Sequence, residues 1–187
     1  MTLLAQIDHD YKSLKSYFDN LFKLLEKANN EEQNTQIQPS DVEATESNKD
    51  YHEFSHLIKP DMLLNIYSFL DFWLIAICEF QKKSKNLSLS YKDIKGNNDL
   101  HAYRKYLIKY AGLELDSVKV DYDAMNNLRK IRNCYVHRGG HVATQNQENM
   151  NKINGISLSA SLILVEDEFV WTSLDSANEF LRTASGA

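Results

Sequence analysis

Apolar residues recur along this chain at helical intervals, broken by polar stretches. Leu4, Ile7, Tyr11, Leu14, Phe18, Leu21, Leu25 and Ala28 alternate steps of three and four. That heptad-like spacing predicts a long first helix laid against partners. Tyr17, Phe22 and Leu24 widen its stripe, which favours packing inside a bundle over an isolated zipper. From 29 to 50 the pattern stops, and Asn, Glu, Gln, Thr and Ser dominate around Pro39, as in an exposed connector. Pro60 and Asp61 then open a second helix to about Lys83, apolar almost all round and therefore expected at the centre. A third helix is predicted over 99–111, with Leu100, Tyr103, Leu107 and Tyr110 on one face and Gly112 as its stop. A fourth spans about 122–137 and ends at Gly139-Gly140.

After a polar loop, 156–165 reads as a strand. Glu166-Asp167 reads as a tight turn into a second strand over 168–171, so that a small hairpin occupies about 155–172. A short closing helix is expected over 174–182. The whole reads as one mainly α domain over 1–187, an up-and-down helical bundle with a small C-terminal β-hairpin.

Composition narrows the function classes. The length of 187 residues suffices for a real core. A net charge of -5 excludes a global electrostatic footprint for nucleic acid, so such a surface would have to be a local basic patch. Cys78 and Cys134 sit among apolar neighbours, as reduced thiols do. The N-terminal residues lack the basic start and apolar run of a signal peptide. The stretch 62–80 approaches membrane-spanning length, but Asp71 near its centre would cost about 3 kcal/mol to insert. A cytoplasmic protein without a membrane partner is expected.

The chemistry concentrates on the fourth helix. At about 100° per residue, Met125, Leu128, Ile131, Tyr135 and Val136 fill one arc, and Arg132 falls in its middle. A buried guanidinium keeps its proton and needs a carboxylate, carbonyls or an anionic ligand. Asn133 and His137 are four apart and share an edge of the arc with Arg129. Arg132 and His137 are about 140° apart, and meet on one ligand only through a loosened helix end or a second copy.

Residues 128–140, with Arg132-Asn133 followed after three residues by His137 and then Arg138-Gly139-Gly140, resemble the signature of the HEPN superfamily. That resemblance implies a helical bundle and a homodimeric, metal-independent endoribonuclease without cofactors. It also implies a setting among toxin–antitoxin or antiviral defence systems, with RNA as substrate and an antitoxin or regulatory protein as a further partner. His137 would move protons, Arg132 would hold the scissile phosphate and Asn133 would position. Arg129, Tyr135 and Arg138 are candidates for substrate contact, and Asp71 is the expected supporting acid. The same resemblance admits a non-catalytic binding or assembly module. In that case Arg132 would make a buried ion pair with Asp71, and His137 would cap the helix C-terminus.

Other patterns weigh less. His52-Glu53 and His56 match H-E-x-x-H, but the third ligand of the extended zinc motif is missing and Pro60 comes four residues later. The lysines of 82–95, with Tyr91, read as a solvated loop that could touch a phosphate backbone. Tyr103, Tyr106 and Tyr110 read as core.

Overall fold

The computed structural model describes residues 2–35 and 43–186, with side chains placed from 2 to 27 and from 56 to 186. These residues form six helices and one two-stranded sheet in the order α1 (Leu3–Thr35), α2 (Glu43–Ser84), α3 (Asp99–Lys109), α4 (Lys119–Arg138), α5 (Thr144–Asn151), β1 (Ile156–Ser159), β2 (Leu162–Val165) and α6 (Asp167–Ala184). The mainly α architecture with a small hairpin is therefore as expected.

α1 buries Ile7, Phe18 and Leu25 from its predicted stripe. It runs antiparallel to α6, and that pairing produces a ladder of contacts. Arg182 bonds Asp8, the Tyr11 hydroxyl donates to Asp175 at 2.7 Å, and the Phe18 and Phe22 rings meet Trp171 at 6.2 and 5.2 Å. The Lys15 ammonium lies 4.5 Å from the centre of the same indole, a cation–π contact.

α2 is central, packed against α1, α3, α4 and α6. By length and composition it could cross a membrane, and Met62, Leu63, Ile66, Leu70, Leu74 and Ile77 are buried against its neighbours. Its coverage is incomplete, however. Phe72 and Phe80 are exposed. Pro60 does not open α2 but lies inside it. The missing N–H and the ring of a proline weaken a helix interior without always ending it. The expected connector is also shorter than its composition implied: α1 continues to Thr35 and α2 starts at Glu43. Glu, Gln and Lys favour helix even without an apolar stripe. Residues 36–42 lie outside the described residues, as do the side chains of His52 and Glu53.

The hairpin differs in detail from the expectation. β1 and β2 pair antiparallel with Ser159 opposite Leu162, so the turn is Ala160-Ser161, with Ala160 at φ 54°. Residues 168–171 are not a strand but the first turns of α6. Phe169, Val170, Ser173, Leu174, Ala177, Phe180, Leu181 and Ala184 form one buried helical face. Asp167 and Glu168 sit in its first turn, where negative charge opposes the helix dipole favourably.

The end of α4 sets the path of the chain beyond it. Gly139 adopts a left-handed φ of 58°, and the Gly140 N–H donates to the Cys134 carbonyl at 3.1 Å. The reversed chain then runs beside the hairpin. The Ile163 N–H donates to the Gly140 carbonyl at 3.0 Å, and the Val142 N–H donates to the Ser161 carbonyl at 2.8 Å. A β-carbon on Gly140 would lie 2.7 Å from the Tyr135 ring. Gly140→Ala is therefore expected to cost about 2–3 kcal/mol, from positive φ and displacement of the ring together. Gly139→Ala meets nothing within 4 Å and should cost only the φ strain, about 1 kcal/mol. Urea unfolding of both variants measures the difference, and equal losses would contradict the packing argument.

Candidate functional site

Between α4 and α5 lies an open groove of about 670 Å³. Its α4 wall carries Arg129, Lys130, Asn133, Cys134, His137 and Arg138, and its other wall carries Val142, Ala143, Asn146, Asn149, Met150 and Ile153. Arg129, Asn133 and His137 stand four residues apart, so successive turns of one regular helix bring them into a row. Of the expected site residues, the groove brings together Arg129, Asn133, His137 and Arg138. It leaves out Arg132, Tyr135 and Asp71.

Arg132 turns to the other side of α4. It is half-buried, its guanidinium carbon lies 5.3 Å from the centre of the Tyr67 ring on α2, and its Nη1 donates to the Asn133 Oδ1 at 3.1 Å. The apolar arc opens at this level of the helix, since Val136 is exposed and Tyr135 only half-buried. A guanidinium that keeps part of its water does not need the carboxylate that full burial demands. The expected Arg132–Asp71 pair is indeed not among the ion pairs of the described residues. Asp71 instead accepts a hydrogen bond from the Tyr103 hydroxyl at 3.0 Å. Tyr67 lies among these charges. Burial pushes its phenol above the ordinary range, Asp71 and Asp99 add to this, and Arg129 and Arg132 oppose it.

The bond from Arg132 has a consequence in the groove. With Oδ1 of Asn133 engaged, the amide nitrogen is the end left to donate elsewhere, and Asn133 lines the groove. Arg129 has a half-buried side chain whose Nε is shielded from solvent and has no hydrogen-bond partner. Such an unmet donor costs about 1–3 kcal/mol. His137 and Arg138 are exposed at the open end. Cys134 lines the wall, but burial raises its thiol above the ordinary range despite the opposing Arg138 guanidinium, so it is a poor nucleophile at neutral pH.

Tyr135 has a structural task in place of the expected substrate contact. Its hydroxyl donates to the Ile163 carbonyl at 2.8 Å and ties α4 to β2. His141, beyond the helix end, pairs its Nδ1 with the Ser161 hydroxyl at 2.9 Å. None of the lysines of 82–95 lines the groove; Lys85 donates to the Ala111 carbonyl and Lys92 sits over Tyr91. Tyr103 and Tyr106 are core residues, as expected, whereas Tyr110 is exposed. A second depression of about 410 Å³, between α1 and α2, is lined by Asp10, Leu14, Tyr17, Phe69, Phe72 and Trp73 among others, and has neither a histidine nor a cation.

Sequence reasoning missed α5 and with it one whole wall. Its stretch Thr-Gln-Asn-Gln-Glu-Asn-Met-Asn has no apolar period to announce a helix. The only signal was the spacing of Val142, Met150 and Ile153 around those amides.

Burial, and secondarily Cys134, pushes the Tyr135 phenol up to about 12. An unfolded tyrosine ionises near 10. The folded value is the higher one, so its contribution to stability is complete below pH 10 and drains away as pH rises towards 12. Tyr135→Phe should lower stability at pH 8 by about 1 kcal/mol through the lost hydrogen bond. It should also flatten the fall in stability between pH 10 and 12, as followed by urea midpoints across that range. No family model, curated protein or solved structure matches the chain.

Proposed function

We propose that this chain is a HEPN-like, metal-independent endoribonuclease acting as a homodimer in the cytoplasm, with the α4–α5 groove as its RNA cleft. One observation carries the reading. The chain holds 26 acidic residues and a net charge of -5, yet the groove is lined by Arg129, Lys130, Arg138 and His137 without a single carboxylate. A local concentration of cations on an acidic chain fits a polyanion.

The residues suit cleavage by the neighbouring 2'-hydroxyl. An imidazole at His137 takes the hydroxyl proton as the oxygen attacks phosphorus, and the 5'-oxygen leaves with a proton from a general acid. The products are a 2',3'-cyclic phosphate and a 5'-hydroxyl. Arg129 and Arg138 bind the non-bridging oxygens, where negative charge grows in the transition state. Asn133, held by Arg132, donates from its amide nitrogen. Two proton transfers are needed and each groove offers one imidazole, so a second copy of His137 in a homodimer supplies the other. The setting we propose, from the resemblance of residues 128–140, is a toxin–antitoxin or antiviral defence system, with an antitoxin or regulator as partner.

One observation favours a second reading. Arg132 faces Tyr67 and so does not meet His137 within one chain. A non-catalytic module that binds a partner protein or a nucleotide would use the same groove without chemistry.

Incubating single-stranded RNA with the protein in excess chelator separates the two. The nuclease reading expects cuts that leave 2',3'-cyclic phosphate ends, and a rate at least about 100-fold lower for His137→Ala. RNA that binds a folded dimer and stays intact would replace the nuclease with the binding module.

A further inference from the structure

The two walls of the groove differ in chemistry, and the difference specifies more than an anion. The α4 wall presents Arg129, Lys130, Asn133, His137 and Arg138. The facing wall has no charge: Val142, Met150 and Ile153 form an apolar floor, and Asn146 and Asn149 stand above it. Val142 and Met150 are buried, and Ile153 is half-buried. Asn146 and Asn149 are three apart and therefore neighbours on one face of α5. Both are exposed, and neither side-chain amide is engaged in a hydrogen bond among the described residues. A ligand that fills this volume must be anionic on one side. On the other it must be flat, uncharged and rich in donors and acceptors. A nucleotide has that division.

We infer that the α5 wall is a base-recognition subsite, in which Asn146 and Asn149 read the edge of an adenine whose phosphate lies on the α4 row. This rests on the reading of the groove as an RNA cleft and adds the specificity of that cleft. An asparagine amide offers one donor beside one acceptor, which matches the N6 amino group and adjacent ring nitrogen of adenine. Guanine's major-groove edge presents paired acceptors that call for a cation, and the cations are on the opposite wall. Pyrimidines cover less of the apolar floor formed by Val142, Met150 and Ile153. The base must be unpaired to enter, as in a single strand or a loop, where base edges are free for side chains.

The test measures binding in the His137→Ala background, so that cleavage does not consume the ligand. Short oligo(A), oligo(C), oligo(U) and inorganic polyphosphate are titrated by fluorescence competition. The expected result is an affinity for oligo(A) about tenfold above that for oligo(C) or oligo(U). Asn146→Ala combined with Asn149→Ala should abolish that preference and leave polyphosphate binding unchanged. Lys130→Ala should weaken every ligand alike and reduce the salt slope by about one. These exposed positions bury nothing, and a circular dichroism melt verifies the fold of each variant. Equal affinity for all three homopolymers, or a preference that survives the double asparagine variant, overturns the subsite. An oligo(A) preference in a chain whose wild type does not cut RNA leaves the subsite standing and removes the nuclease. Cleavage without base preference does the reverse.

Discussion

The close approach of Gly140 to the Tyr135 ring is the contact on which the site depends. Where a β-carbon would strike the ring, its absence lets the chain fold back over α4 immediately after the helix ends. Three hydrogen bonds then hold this return against β2 and the hairpin turn: Tyr135 to the Ile163 carbonyl, Ile163 to the Gly140 carbonyl and Val142 to the Ser161 carbonyl. Each contributes about 1 kcal/mol net. The hairpin could not supply the brace alone, because an isolated two-stranded ribbon is marginal in water. It is held by burying Ile156, Ile163 and Val165 in the core. With the return fixed, α5 packs against β1, and its uncharged lining residues stand across the groove from the cationic side chains of α4. The groove is thus a consequence of a turn, not of either helix separately.

The same geometry reassigns the residues of the motif. In the sequence, Arg132 stands out because it interrupts an apolar arc. In the fold that arc is only partly covered, and Arg132 rests on the Tyr67 ring and on the Asn133 amide. The groove instead tracks the steps from Arg129 to Asn133 to His137, which a regular helix aligns. α4 stays regular to Arg138 and closes in a left-handed glycine, so nothing loosens at its end to swing His137 round to Arg132. Arg132 reaches the groove only through Asn133, by fixing which end of that amide is free. One guanidinium thus touches the groove at one remove, through the Asn133 amide, while that of Arg129 belongs to the lining itself.

How much of this was legible depends on whether the signal was periodic. Helices with an apolar stripe, α1, α3 and α4, could be read from their spacing. α5 could not, because amides carry no period. The start of α6 was obscured because Glu166-Asp167 looks like a turn between strands, while the true turn, Ala160-Ser161, contains no glycine or asparagine to mark it. For the site, the α4 row was readable because its members share one helix and local geometry fixes their directions. Asp71 is the opposite case. It lies on α2, and its choice of Tyr103 over Arg132 depends on how three helices pack, which no local pattern encodes.

Charge is the property on which whole-chain counting misleads most. A net charge of -5 weighs against nucleic acid only if the charges act together. At about 0.1 M salt the screening length is about 10 Å, so exposed carboxylates on distant faces of the bundle do little at the groove. What a phosphate meets there is the local set of Arg129, Lys130, His137 and Arg138, with no acid lining the wall to neutralise them. Low-dielectric walls such as Val142, Met150 and Ile153 focus that field rather than dissipate it.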